Sequence, residues 1–196
     1  MTNGLRWRVF VLQVGLIGIL GFVAGFAFWA GNFATGQVQT QLSAQKIFFP
    51  PAGSQAITSL PAADAVAMKV YAGEQLTTGA QAQTYADHFI RVHLDEIAGG
   101  QTYAQVSAKA LADPSNTKLA GQVQTLFRGE TLRGLLLNAY GWSQIGQYAF
   151  YAAIGLSVAA FVVLLACLFE VTEWRRGVAA PPVRMMDEPV VTAKVA

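Results

Sequence analysis

Two long apolar runs, one near each end of the chain, dominate its pattern of hydrophobic and polar positions. They cover residues 9–30 and 148–169, and neither contains an acidic or basic residue. A helix needs about 20 consecutive, mostly apolar residues to cross the hydrocarbon core of a bilayer. The pattern therefore predicts an all-α membrane protein with transmembrane helices at residues 9–31 and 148–170.

The segment between the runs, residues 32–147, is richer in polar positions and carries signals for helix ends instead of strand alternation. A threonine followed three residues later by glutamine is a capping-box pattern, and it occurs at Thr78 and Gln81 and again at Thr102 and Gln105. This segment is predicted to fold as a bundle of about four helices, over residues 59–71, 78–97, 102–112 and 117–138.

Other signals set the ends of these helices. Residues 37–45 are expected to continue the first span outward until Pro50 and Pro51 end any helix. Ser59 is the expected cap of the first bundle helix, and Gly99 with Gly100 is expected to end the second.

The positions of the basic residues orient the spans. Arg6 and Arg8 precede the first run, Arg175 and Arg176 follow the second, and the flanks that face residues 32–147 contain neither lysine nor arginine. Because positive charge near a span end marks the cytoplasmic side, both termini are expected to be cytoplasmic and the bundle extracytoplasmic. The predicted tails are residues 1–8 and a disordered segment, 171–196.

The first run also fits a secretory signal peptide, since two arginines precede its apolar core. However, it is longer than the usual apolar region of about 7–15 residues, and Trp29 and Asn32 interrupt the small-residue pattern at a cleavage site. A retained anchor in the cell membrane is therefore the favoured interpretation.

Composition agrees with a membrane protein. Only 12% of the residues are charged, about half the usual share, whereas 54% are hydrophobic. The net charge is +2 and the charges of residues 32–147 balance, which argues against a nucleic-acid partner. The single cysteine, Cys167, lies in the second run, so the bundle is expected to be held by packing alone.

Glycines recur along the first run at positions that share one broad helix face: Gly15, Gly18, Gly21 and Gly25. Gly21 and Gly25 form a GxxxG pair, which lets two helix backbones approach closely in a membrane. The favoured interpretation is that the two spans pack on each other through this face. The alternative is that Gly18, Gly21 and Gly25 contact another protein or a second copy. Aromatic residues, among them Phe33 and Trp142, mark the outer ends of the spans.

Both histidines lie in a polar stretch, residues 87–96, which raises the possibility of a metal site at His88 and His93. Their spacing of five residues turns them about 140° apart on a helix, whereas metal-binding pairs on one helix are usually three or four residues apart. Ordinary surface ion pairs and a half-buried His93 beside Phe89 are therefore expected, and no metal or other cofactor is predicted.

A second notable stretch contains Arg128, Gly129, Glu130, Arg133 and Gly134. Glycine inside a helix costs about 1 kcal/mol relative to alanine, so its presence indicates close backbone approach. Tight packing within the bundle is the favoured explanation. A docking groove near the membrane, with Glu130 and Arg133 as polar contacts, is the alternative.

Several segments together resemble a group of small two-span actinobacterial membrane proteins. They are residues 45–47, 77–79, 85–88, 100–104 and, above all, 126–138 with the sequence LFRGETLRGLLLN. The resemblance covers most of the chain apart from the C-terminal tail. It implies the two-span topology, and it implies neither an activity nor site residues.

No catalytic motif, phosphate-binding loop or CxxC pair occurs in the sequence, so an enzyme is the least favoured hypothesis. The leading hypothesis is an accessory or scaffold protein that associates, in the bilayer, with a larger membrane complex or with copies of itself. The alternative is an extracytoplasmic sensor or ligand-binding module that signals through a partner.

Overall fold

The described part of the protein, residues 3–179 of a computed structural model, consists of helices joined by short loops. The helices are α1 (Asn3–Gln45), α2 (Gln55–Thr58), α3 (Ala62–Lys69), α4 (Gly79–Tyr85), a π-helical turn (Ala86–Ile90), α5 (Arg91–Ala98), α6 (Tyr103–Ala112) and α7 (Thr117–Ala179). The described residues form no strand, and Phe48 and Gln75 make one isolated antiparallel bridge. The predicted all-α class with two long apolar helices is confirmed.

The two long helices extend well beyond the predicted spans. α1 has 43 residues and α7 has 63. The predicted continuation of the first helix through Gln45 is confirmed, and the chain leaves the helix before Pro50. α7 continues without interruption from the predicted fourth bundle helix into the second apolar run. Residues 171–179 of the predicted disordered tail are helical, and its remainder lies outside the described residues.

The predicted ends of the short helices are mostly confirmed. Both capping boxes are present, with Thr78 and Thr102 each accepting a hydrogen bond from a glutamine backbone N–H three residues on. Gly99 ends α5 in the left-handed region, at φ 60°. The prediction that Ser59 caps the start of a helix is wrong, because Ser59 directly follows α2 and its hydroxyl donates back to the carbonyl of Gln55, the first residue of α2.

Residues 22–156 form a compact unit with its own hydrophobic core. Its largest fully buried side chains are Phe49, Ile57, Met68, Leu76 and Leu126. Phe49 also packs edge-on against Tyr85, and burial raises the pKa of the Tyr85 hydroxyl above its ordinary value of 10.0.

A separate bundle of about four helices is not confirmed. The core of the compact unit contains Val38 and Leu42 from α1 and Leu126 and Leu136 from α7, beside side chains of the short helices. The outer ends of the two long helices are therefore structural members of this unit, and the short helices pack with them. The predicted fold was correct in its class and incomplete in how the core is assembled.

The remaining unit consists of the start of α1 and the end of α7, residues 3–21 and 157–179. Most of its large apolar side chains are exposed, including Leu12 and Phe169. Cys167 is buried and makes no disulfide. Both long helices are long and apolar enough to cross a membrane, and only 6% of the most apolar stretch of α1 and 11% of that of α7 are buried.

Candidate functional site: a groove between the two long helices

Within the compact unit, α1 and α7 come into backbone contact at two glycines, Gly31 and Gly146. A Cβ atom added at Gly31 would lie 2.8 Å from the carbonyl oxygen of Gly146 and 3.3 Å from the backbone nitrogen of Phe150. A Cβ added at Gly146 would lie 2.9 Å from Oγ1 of Thr35. These separations are shorter than ordinary contacts, so any larger residue at either position would push the two helices apart.

Beyond this contact, toward the C-terminal end of α1, a groove of about 500 Å³ lies between the two helices. The residues that line it are Phe33, Ala34, Gln37, Val38, Gln41, Leu42, Gln45, Ile47, Leu132, Leu135, Leu136, Asn138, Ala139 and Trp142. None of these lining residues carries a charge. The volume lies within the range of about 300–1,000 Å³ that is usual for small-molecule sites.

The walls of the groove differ in chemistry. Gln37, Gln41 and Gln45 are spaced four residues apart on α1, so their side chains lie on one helix face and form a row of amides. α7 contributes a mostly apolar wall with one amide, Asn138, and in this wall Leu135 is 65% exposed and Trp142 is 53% exposed. Exposed apolar side chains beside hydrogen-bonding amides make this groove suited to an amphipathic ligand.

A second polar feature lies at the π-helical turn, where Asp64 of α3 contacts two basic side chains. Its Oδ1 is 2.7 Å from Nδ1 of His88 and 3.3 Å from a terminal nitrogen of Arg91. Arg91 also binds Asp95, at 3.2 Å, and donates from Nε to the carbonyl of Asp87. The Asp64 side chain is only 12% exposed, which makes this the most buried carboxylate of the described ion pairs.

The same turn is tied to α7 by Arg133. One terminal nitrogen of Arg133 lies 3.1 Å from Asp87 and the other lies 3.5 Å from Glu130. Two of the predicted contact residues, Glu130 and Arg133, therefore take part in an ion-pair network that links α7 to the π-helical turn. π-helical turns often occur at functional sites, but here Asp87 and His88 each have a structural partner. Nε of Arg133 is buried and has no hydrogen-bond partner among the described residues.

The two histidines considered as metal ligands contact different groups. His88 binds Asp64, whereas Nδ1 of His93 lies 2.7 Å from the carbonyl oxygen of Phe89. The His93 ring also packs on the Phe89 ring at 4.5 Å, so the expectation of a half-buried His93 beside Phe89 is confirmed. The described residues contain no group of three or more potential metal ligands.

The glycines singled out in the sequence have different surroundings. Gly129 faces the side chain of Leu94 closely enough that a Cβ would overlap it, which agrees with the tight-packing interpretation. In contrast, no atom of the described chain lies within 4 Å of a Cβ built at Gly18, Gly21, Gly25 or Gly134. Arg128 is exposed. The described part of the chain therefore shows no close backbone approach at Gly18, Gly21 or Gly25, and the close contact between α1 and α7 is made at Gly31 and Gly146.

Sequence reasoning missed the groove, although two signals for it are present. The row of glutamines at 37, 41 and 45 has the four-residue spacing of one helix face, and the leucines at 132, 135 and 136 form an apolar face on α7. Each pattern can be recognised in the sequence by itself. Neither pattern indicates that the glutamine face of α1 lies opposite the leucine face of α7.

Comparisons of the chain with protein-family models, with curated proteins and with solved structures find no match. The resemblance to two-span actinobacterial proteins therefore stays a prediction, and function has to be argued from this chain's own surfaces.

Proposed function

We propose that the protein is an integral accessory or scaffold protein of the cytoplasmic membrane, which associates with a larger membrane complex through its spans and its outer helical unit. The observation that carries this proposal is the exposed apolar surface of α1 and α7. Only 6% and 11% of their most apolar stretches are buried. Helices of this composition in the core of a soluble protein would be covered by other parts of the chain.

The distribution of basic residues supports one orientation. Arg6 and Arg8 at one end, and Arg175 and Arg176 at the other, favour a cytoplasmic location for both termini under the positive-inside rule. Residues 32–147 then lie outside the cytoplasm, with Phe33 and Trp142 near the outer membrane surface. Attachment of a membrane-impermeant maleimide to single cysteines introduced at exposed positions 36 and 111, in a Cys167→Ser background, tests this orientation in intact cells.

The face of α1 that carries Gly18, Gly21 and Gly25 supports association with a partner. No described atom covers these glycines, so a second helix has room to approach the backbone there. We propose this face as a contact surface for a partner chain or a second copy, and exposed Arg128 and Gly134 on α7 as separate candidate contacts.

The experiment is purification of the tagged full chain from its native membrane in mild detergent, with identification of stoichiometric partners. The double substitution Gly21→Leu with Gly25→Leu is expected to abolish association. Val23→Phe is the matched control, because Val23 lies between them and about 160° around α1 from both. Loss of the partner from the double variant but not the control supports the proposal; equal retention in both contradicts the assignment of this face.

The groove specifically favours a second candidate function, that of an extracytoplasmic ligand-binding module. Its volume of about 500 Å³, uncharged lining and row of amides are features of ligand sites rather than of simple scaffolds. The two functions are compatible, since an accessory protein can carry a bound ligand to its complex.

A further inference from the structure

We propose that the groove between α1 and α7 binds a membrane amphiphile, with an apolar chain lying along the α7 wall and an uncharged, hydroxyl-bearing head held by the glutamine row. This inference rests on the proposed membrane location of the protein. It goes further by assigning a ligand class to residues that no sequence pattern marks as a site.

The chemistry of the lining selects the ligand. The α7 wall offers Leu132, Leu135 and Leu136. A hydrocarbon chain packed against these side chains is stabilised by roughly 25 cal/mol per Å² of apolar surface removed from water. Gln41 and Gln45 offer amides that both donate and accept hydrogen bonds, as hydroxyl and ester groups require. Because no lining residue carries a charge, a head group that brings its own charge into the groove would find no counter-ion there.

The shape of the groove favours a chain over a helix. Its α1 wall runs from Phe33 to Gln45, which is about 18 Å at 1.5 Å per residue. A partner helix with its side chains is about 10–12 Å in diameter, so it would lie beside α1 and α7 as a third helix. An extended hydrocarbon chain is thinner and can lie between them.

The position of the groove gives such a ligand a route of entry. Phe33 and Trp142 line one end, and they lie within a few residues of the ends of the two apolar runs. Aromatic residues of this kind sit at the headgroup level of a bilayer. A chain of the outer leaflet can therefore pass between them into the groove while it stays in contact with apolar surface.

The probe for this proposal is a monoacylglycerol that carries a photoactivatable diazirine in its acyl chain. The full chain is reconstituted in bilayer nanodiscs that contain the probe, irradiated, and analysed by peptide mass spectrometry. Labelling is expected on residues 33–47 and 132–142. Labelling confined to the apolar runs would overturn the proposal.

Two leucine variants separate binding in the groove from adhesion to exposed apolar surface. Leu135→Glu places a charge in the groove and is expected to reduce its labelling about tenfold. Leu111→Glu is the matched control, because Leu111 is 79% exposed and lies outside the groove, and it is expected to leave labelling unchanged. Equal labelling of the two variants would contradict the assignment.

Two further measurements test the class of ligand. The same diazirine on an anionic phosphatidylglycerol is expected to label the groove several-fold less than the monoacylglycerol; equal labelling overturns the uncharged head. A photoreactive amino acid at position 135 in native membranes is expected to give a lipid adduct. A protein adduct instead would show that a partner chain occupies the groove.

Extraction of native membranes with alkaline carbonate keeps this inference distinct from the proposed function. Release of the protein from the membrane without detergent would refute the membrane spans. The labelling of the groove in nanodiscs would still support or contradict the ligand assignment. Retention in the membrane with no groove labelling would refute the ligand assignment alone.

Discussion

The apolar stretches of α1 and α7 and the core around the short helices contain the same kinds of residue in opposite environments. Phe22 in α1 is 76% exposed, whereas Phe49 is 2% exposed and Met68 is completely buried. The short helices cover their apolar side chains with one another and with the outer ends of α1 and α7. The apolar stretches leave theirs uncovered, which is stable only where a bilayer or another protein excludes water.

This difference shows that an apolar sequence is not in itself evidence for a core. In the core around the short helices the chain excludes water by its own packing, and in the apolar stretches it relies on its surroundings. Changes in the size of a buried side chain should therefore destabilise the core around the short helices. Similar changes in the apolar stretches should be tolerated unless a partner covers the surface.

The largest effect is expected from a cavity in the core. Met68→Ala should destabilise the protein by about 2–5 kcal/mol, because it removes a completely buried side chain that the surroundings cannot replace. Val66→Ala on the same short helix α3 should change stability by less than about 0.5 kcal/mol, since Val66 is 66% exposed. Thermal unfolding of the full chain in mild detergent, followed by circular dichroism, measures both. Similar losses of stability for Met68→Ala and Val66→Ala would contradict the expected difference between buried and exposed positions.

A smaller loss is expected where the long helices touch. Gly31→Leu should cost about 1–3 kcal/mol, because the new side chain meets the backbone of Gly146 and Phe150. Gly36→Leu adds the same side chain five residues further along α1, where no described atom lies within 4 Å of the new Cβ. It should be neutral or stabilising by up to about 1 kcal/mol, since leucine is the better helix former. The same unfolding assay distinguishes the two variants. A Gly36→Leu variant that is less stable than the parent would indicate a contact at Gly36 that the described residues do not show.

The smallest loss is expected in the ion-pair network beside the π-helical turn. Asp64→Asn should destabilise the protein by about 1–2 kcal/mol, because it weakens charged hydrogen bonds to His88 and Arg91 at a nearly buried position. Asp95→Asn, at a side chain that is 58% exposed, should cost less than about 1 kcal/mol. An Asp64→Asn variant as stable as the parent would mean that this network serves something other than folding.

Much of the local structure was predictable from the sequence. The apolar runs identified both long helices, and the capping boxes at Thr78 and Thr102 set helix starts that the structure reproduces. The left-handed glycine at position 99 ended α5 where expected. Each of these signals acts over only a few residues, so the chain carries it wherever the segment lies in the fold.

The candidate sites were not predictable in the same way. Asp64 and His88 are 24 residues apart, and Asp87 and Arg133 are 46 apart, so no local pattern indicates that they meet. The glycines at 21 and 25 have the familiar GxxxG spacing, yet the contact between α1 and α7 uses Gly31 and Gly146.

The sequence by itself determined the class of the fold, the positions of its apolar stretches, most ends of the short helices and the balance of charge. The tertiary structure decided which helix faces meet, and through this it created the groove and the ion-pair network. The physical reason is that periodicity and capping are properties of neighbouring residues, whereas a groove exists only where two surfaces distant in the chain are held side by side.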